Sequence, residues 1–207
     1  MSLYIIDDHP LMRDALAMLL RRVRPGAEVV EMSRLTGIEK IVATRGTPEL
    51  ICLDLKLPDT VGTSGVEQLK ALYPEVPLAV ISASPAAEAE DLCSQAGADV
   101  YIEKSVGAAE IAATLRSMLQ PDGADEMEGD GYGDAAAALP SDGKLSKRQK
   151  QLIVMLDEGL ANRDIAERLA ISEHTVKVHL WRLFRRLGVK SRTQALHFAR
   201  THGLLGR

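Results

Sequence analysis

The chain has 207 residues, about one and a half ordinary domains, so two compact units are expected. Apolar residues make up 46% and charged ones 26%, a globular composition that excludes a fibrous or disordered chain. No apolar run approaches the roughly 18–20 residues of a membrane span, and no charged leader precedes a cleavage-type segment, so a soluble, cytoplasmic protein is expected. Cys52 and Cys93 are the only cysteines, too few for a disulfide framework or a thiolate metal site, and are expected to be plain core residues.

The net charge of −4 hides an asymmetry. Residues 1–120 hold 11 basic and 17 acidic side chains, residues 121–143 hold 7 acidic and no basic ones, and residues 144–207 hold 14 basic and 5 acidic ones. An acidic body joined to a basic end suggests one unit that avoids phosphate and one that seeks it.

In chain order, Leu3–Ile6, Glu28–Met32, Leu50–Leu53, Leu78–Ser82 and Val100–Ile102 are short apolar runs bounded by turn or polar residues, and each predicts a strand. Helical patterns separate them. Met12, Leu16, Leu19, Leu20 and Val23 recur at helical spacing after the first strand, as do Ile111, Leu115, Met118 and Leu119 after the last. Five strands alternating with five helices predict a doubly wound parallel α/β sheet, because parallel strands need right-handed crossovers; in the flavodoxin-like order 2-1-3-4-5 the first and third strands are neighbours. Pro121–Gly143 is rich in Gly, Asp and Pro with no apolar period, and reads as an acidic flexible linker. The domains are therefore expected at 1–120 and 144–207. The latter has no strand pattern and is expected to be all-α. Ser146-x-x-Gln149 and Ser191-x-x-Gln194 fit capping boxes. Further helices should begin near Asn162 and near Ser172–Glu173, separated by a short stop as in a helix-turn-helix.

In an open parallel sheet, function gathers at the carboxyl ends of the strands. Those ends carry Asp7-Asp8, Asp54, Ser82 and, just after the fifth strand, Lys104. Three carboxylates in one crevice are costly unless a cation joins them, and a hard divalent ion such as Mg²⁺ is the natural partner. A hydroxyl at Ser82 and an ammonium at Lys104 would complete a cradle for a phosphoryl group.

These residues, in the runs Ile5-Ile6-Asp7-Asp8-His9-Pro10 and Asp54-Leu55-Lys56-Leu57-Pro58-Asp59 with Ser82-Ala83 and Tyr101 to Lys104, resemble the receiver domain of two-component response regulators of the NarL/FixJ type. The resemblance implies that Asp54 accepts a phosphoryl group from a sensor histidine kinase. It implies that Asp8, Asp54 and the backbone carbonyl of Lys56 hold Mg²⁺, with Asp7 acting through water, and that Lys104 pairs with the phosphoryl oxygens. Ser82 and Tyr101 would be a switch pair; taken alone, Tyr101 reads more readily as a core aromatic. His9 is set aside as a ligand. Thr63-Ser64 departs from the family pattern, so the third helix is expected to start late.

In the basic end, Val176, Leu180, Leu183 and Leu187 form one narrow helical stripe. His174, Val178, Trp181 and Arg185 lie opposite, with Lys177 beside them. An exposed tryptophan on that side makes sense if the face enters a groove of double-stranded DNA, where Lys and Arg neutralise phosphates. The run Ile171-Ser172-Glu173-x-Thr175-Val176-Lys177-x-His179, continued by Leu187-Gly188-Val189-x-Ser191-Arg192-Thr193-Gln194-Ala195, resembles a LuxR-type helix-turn-helix. That resemblance makes 173–187 the recognition helix, with Lys177, Val178 and Trp181 at base edges and Thr175, Arg182, Arg185, Lys190 and Arg192 on operator phosphates. It makes the last helix, Arg192 to about His202, the face of a homodimer. Ala161 and Asp164 depart from the family's capping pair, which leaves the scaffold helix looser at its start.

The expected function is a phosphorylation-controlled, DNA-binding transcriptional regulator, not an enzyme. A Mg²⁺-dependent phosphatase using Asp54 as nucleophile would need an acid two residues on, and Lys56 stands there. A regulator whose receiver acts as a dimerisation module without phosphate is the alternative.

Overall fold

The computed structural model describes residues 1–119, 145–189 and 191–205. The chain divides into two units, Met1–Leu119 and Gln120–Arg207. The linker expected at Pro121–Gly143, and Lys190, lie outside the described residues.

The first unit alternates β1 (Ser2–Ile6), α1 (Pro10–Val23), β2 (Glu28–Met32), α2 (Ile38–Arg45), β3 (Leu50–Leu53), α3 (Ser64–Leu72), β4 (Leu78–Ser82), α4 (Ala86–Gln95), β5 (Val100–Glu103) and α5 (Ala108–Leu119). All five expected strands form; the first begins one residue earlier and the last ends one residue later than expected. The strands are parallel in the order β2-β1-β3-β4-β5.

Strands buried on both faces read as continuous apolar runs, and β1, β3 and β4 are buried throughout. β2 lies at the sheet edge, which is why it can carry Glu28 and Glu31. On one face, Tyr4, Ile6, Ile51, Leu53, Leu78 and Val80 pack with Ile38 of α2, Val66 and Leu69 of α3 and Cys93 of α4. Alternation sends Leu3, Ile5 and Cys52 to the other side. There α1 buries Leu16, Ala17 and Leu20, α5 buries Ile111, Leu115 and Met118, and the two helices pack together. Burying a side chain of this size contributes roughly 1.5–3 kcal/mol, so these two layers dominate the stability of the unit. Both cysteines are core residues, as expected. Burial pushes the Cys52 thiol up to about 12 and raises that of Cys93.

Helix α3 begins at Ser64. The loop before it turns through Gly62, whose φ of +56° suits a residue without Cβ, and Ser64 Oγ accepts the Val61 N–H at 3.0 Å.

The second unit contains α6 (Lys147–Asp157), α7 (Asn162–Leu169), α8 (Glu173–Leu187) and α9 (Arg192–Thr201). Ser146 and Gln149 form the expected reciprocal capping box on α6. Ser172 accepts the Thr175 N–H at 3.1 Å to start α8, and Ser191 accepts the Gln194 N–H at 3.3 Å to start α9. Ala161 has no side-chain acceptor for α7, yet Asp164 accepts the Ala161 N–H at 3.2 Å and keeps half of a box. The apolar stripe Val176, Leu180 and Leu183 is buried with Leu152, Leu156 and Ile165 in one core. Between α7 and α8 the chain turns at Ala170 with φ +52° and ψ +40°, the one described non-glycine residue at positive φ.

Two expectations follow from these features. A left-handed alanine costs about 1 kcal/mol, partly offset by the greater chain entropy of a glycine, so Ala170→Gly should stabilise the second unit by about 0.5 kcal/mol in calorimetry of the full chain; a lower transition temperature would contradict the turn. Cys52 and Cys93 should resist iodoacetamide in the folded protein at about pH 8 and react fully in denaturant, since a thiol held protonated is a poor nucleophile; rapid native labelling would contradict their burial.

Candidate functional site

The sheet register builds the site. Ile6 is paired with Leu53, and the Asp54 N–H donates to Ile6 O at 2.8 Å, so the residues that follow β1 and β3 emerge side by side. Ser82 is paired with Glu103, and the Lys104 N–H donates to Ser82 O at 2.7 Å, which brings Lys104 to the same end of the sheet. Every strand-end residue singled out above arrives at one edge through backbone pairing alone.

Lys104 Nζ lies 2.6 Å from Asp54 Oδ2 and 2.8 Å from Asp7 Oδ2. Burial alone would lower the Lys104 ammonium, but hydrogen bonds and charge from Asp54 and Asp7 hold it above its ordinary value. Asp54 Oδ1 accepts the Lys56 N–H at 3.3 Å, which tightens the turn that presents the Lys56 carbonyl. Asp7 and Asp54 are buried, at 1% and 3% exposure, while Asp8 is half-exposed. Asp7 Oδ2 takes the Lys104 ammonium, and Asp8 Oδ1 is a buried oxygen at the mouth of the pocket. Three carboxylates converging on one pocket are a donor set that a hard divalent cation satisfies, so the pocket fits Mg²⁺.

One residue set aside on sequence grounds belongs to this cluster. His9 Nδ1 lies 2.8 Å from Asp8 Oδ1, 3.2 Å from Asp7 Oδ1 and 3.6 Å from Asp54 Oδ2. The ligand atoms of Asp7, Asp8, His9 and Asp54 all fall within 4.8 Å of one another. The signal was its position directly after the acidic pair, ahead of a proline at the start of α1. Asp54 is thus more enclosed than a phosphoacceptor open to solvent would be. The ring beside it is mostly exposed, however, with 64% of its side chain accessible.

Ser82 is fully buried and its Oγ accepts the Ser84 N–H at 3.2 Å. Tyr101 is turned inward, buried in the core, and its hydroxyl donates to Ser84 O at 2.8 Å. Burial raises its phenol. Glu103 Oε1 accepts the Ala86 N–H at 2.6 Å, capping α4, whose own N-cap Pro85 has no side-chain acceptor. The start of α4 is therefore tied to the end of β5, one residue from Lys104.

In the second unit, α8 places its assigned residues unevenly. Lys177 and Thr175 are half-buried, and Thr175 Oγ1 lies 2.9 Å from the capping Ser172 Oγ. Trp181 is half-buried rather than exposed, with the Arg185 guanidinium 5.7 Å from its ring centroid, within cation–π range. Val178 and Arg182, assigned to a base edge and a phosphate, are buried here at 0% and 3% exposure, so neither is presented for the contact assigned to it. Arg192, also assigned to a phosphate, donates from its guanidinium to Leu156 O at 3.0 Å and so ties α9 to the end of α6. Arg200 does the same through Asp157, with Nη2 at 2.7 Å.

A parallel 2-1-3-4-5 sheet with three carboxylates and a lysine at its carboxyl edge defines a receiver fold. Residues 3–116 match the family model described as the response regulator receiver domain, and residues 143–199 match that of bacterial regulatory proteins, luxR family. The chain is 31% identical over 206 residues to the DNA-binding transcriptional activator DevR/DosR of Mycobacterium tuberculosis, covering 96% of this chain and 93% of that one. It is 31% identical over 198 residues to the nitrate/nitrite response regulator protein NarP of Escherichia coli, covering 92% and 90%. A CheY-like response regulator receiver domain protein from Methanospirillum hungatei superposes with a TM-score of 0.50 at 25% identity, over 57% of this chain and 92% of that one. The chain belongs to the response regulators, with a receiver domain followed by a LuxR-type DNA-binding domain.

The ammonium of Lys104 predicts a pH signature. Because its folded value is raised, its contribution is complete below the ordinary lysine range and is lost only as pH climbs through the raised value. With EDTA present, Lys104→Met should lower the stability of the full chain by on the order of 2–4 kcal/mol at neutral pH, read from urea midpoints; an unchanged midpoint would contradict the pairing.

Proposed function

We propose that this response regulator is switched by phosphorylation of Asp54 and, in the phosphorylated form, binds operator DNA as a homodimer. The single observation that carries the reading is the Lys104 ammonium held between Asp54 and Asp7, 2.6 and 2.8 Å away, beside Asp8.

In the transfer step an Asp54 carboxylate oxygen attacks the phosphorus of a phosphohistidine on a sensor histidine kinase. The O–P bond forms as the P–N bond breaks, and the leaving imidazole takes up a proton. Asp8, Asp54 and the Lys56 carbonyl would hold Mg²⁺, with Asp7 acting through water; bound there, the ion supplies positive charge against the phosphoryl oxygens. Lys104 is positioned to shift its ammonium from the carboxylate to a phosphoryl oxygen. The cover over Asp54 is the His9 ring, which can swing outward without disturbing the core because most of its surface is already in solvent.

The product adds roughly −1.5 to −2 charges and three strong acceptors at the end of β3. Ser82 is the nearby hydroxyl donor, and its Oγ is engaged by the Ser84 N–H. Tyr101 bonds to the carbonyl of the same Ser84. A shift of Ser82 toward the phosphoryl group therefore acts on the segment that Tyr101 and Glu103 anchor at the start of α4.

In the LuxR-type domain, α8 is the recognition helix. Lys177 reads a base edge and the exposed Arg185 of α8 contributes phosphate affinity. Trp181 has no bidentate donor pair, so its part is apolar packing on a thymine methyl or on the sugar wall. α9 supplies the dimer face, which sets two half-sites about 34 Å apart. Catalytic turnover of phosphate esters is not part of this reading, because Lys56 stands where a phosphatase of this design needs its acid.

Two measurements test the proposal. Asp54→Asn should abolish labelling by radiolabelled acetyl phosphate with Mg²⁺, while retained labelling would remove Asp54 from the mechanism. Lys177→Ala should weaken binding to a selected operator by about 10-fold or more and change binding to random DNA much less; equal losses on both would reduce Lys177 to a phosphate contact.

A further inference from the structure

We propose that His9 adds a nitrogen donor to the cation pocket of the receiver, so that the pocket binds first-row transition ions such as Co²⁺ through a contact that its carboxylates alone do not provide. The inference deepens the reading of that pocket as a cation site and rests on it.

Three observations converge on the ring. First, Nδ1 is aimed into the mouth of the pocket, within 3.6 Å of an oxygen of each of Asp7, Asp8 and Asp54. A cation held by these carboxylates shares that mouth with the imidazole. Second, His9 is the N-cap residue of α1, yet its side chain makes no capping bond. Such positions favour Ser, Thr, Asp or Asn, whose oxygens satisfy the first turn. Here the side chain points at the carboxylates instead. Its own N–H donates to Asp7 Oδ1 at 2.9 Å, which fixes the turn that aims it, and Pro10 follows at the start of the helix. Third, the ligand atoms of Asp7, Asp8, His9 and Asp54 all fall within 4.8 Å of one another, close enough to share one ion.

Chemistry decides which ions gain. Mg²⁺ prefers oxygen ligands and keeps several waters, so an imidazole offers it little. Co²⁺, Ni²⁺ and Zn²⁺ accept imidazole readily and bind a mixed nitrogen and oxygen site more tightly than an all-oxygen one. In the tautomer that carries its hydrogen on Nε2, Nδ1 presents a lone pair toward the carboxylates. With Mg²⁺ the ring has only to move aside, which its exposure permits. With Co²⁺ it stays and coordinates.

The test uses the full chain, with Co²⁺ and Mg²⁺ each titrated by calorimetry into the wild type, His9→Ala, His9→Phe and Asp54→Asn. The expected result is that both His9 variants lose about 10-fold or more in Co²⁺ affinity at one equivalent, while Mg²⁺ affinity stays within about 2-fold. The visible absorption of bound Co²⁺ should change in the same variants. The phenylalanine variant keeps the bulk of the ring, so a loss there is the loss of the nitrogen. Unchanged Co²⁺ binding in both variants would overturn the inference. So would a joint fall in Co²⁺ and Mg²⁺ affinity, which would make His9 a support for the carboxylates rather than a ligand. Should the wild type and Asp54→Asn bind Mg²⁺ equally, the cation pocket itself would fail, and the role of His9 with it.

Discussion

Negative charge gathered at one end of a parallel sheet, and held there by one ammonium, is the constraint from which the receiver's properties follow. Hydrogen-bonded register puts Asp7 and Asp54 on adjacent strand ends, with no freedom to separate. Carboxylates this close and this buried repel one another unless positive charge intervenes. Lys104 supplies it from the far side of β4, delivered by the pairing of Ser82 with Glu103. The result is a pocket that is balanced yet still rich in acceptor oxygens. Much of the sheet core can be understood as the rigid frame that keeps these strand ends aligned.

The same edge connects chemistry to shape through short links. Ser82 Oγ and the Tyr101 hydroxyl both bond to Ser84, one at its N–H and the other at its carbonyl. Glu103, next to Lys104 in the chain, caps α4. A change at Asp54 therefore has only one loop to cross before it meets the helix. In the LuxR-type domain the scaffold is equally explicit. Serines cap α6, α8 and α9, and arginines of α9 bond to the end of α6. This arrangement fixes the helices around a small apolar core, which a unit of this size needs if the side chains of α8 are to be presented in a constant geometry.

The sheet was legible in the sequence because both-face burial leaves an unmistakable trace: β1, β3 and β4 contain almost nothing but apolar residues, with Asp7 and Asp54 directly after the first two and Ser82 closing the third. The start of α8 was legible for a similar reason, since Ser172 and Thr175 form a local cap that needs no distant partner. Where the partner is distant, the reading failed. Arg192 has the sequence context of a phosphate contact, but its guanidinium bonds to the carbonyl of Leu156 on another helix. Val178 and Arg182 lie away from the apolar stripe, and helical periodicity assigns a side without revealing what occupies it; both are buried. His9 was passed over because one histidine beside an acidic pair has many innocent explanations. Only the folded turn, with Nδ1 within 3.6 Å of all three carboxylates, shows that the ring faces them.

The central claim is that the Asp54 carboxylate forms an acyl phosphate. Its most direct test is chemical trapping: incubation of the full chain with acetyl phosphate and Mg²⁺, reduction with borohydride, and peptide mass spectrometry. Borohydride converts an aspartyl phosphate to homoserine. The account predicts homoserine at position 54 and at no other aspartate. Unmodified Asp54 in a sample that has demonstrably taken up phosphate, or homoserine at Asp7 or Asp8 instead, would contradict it.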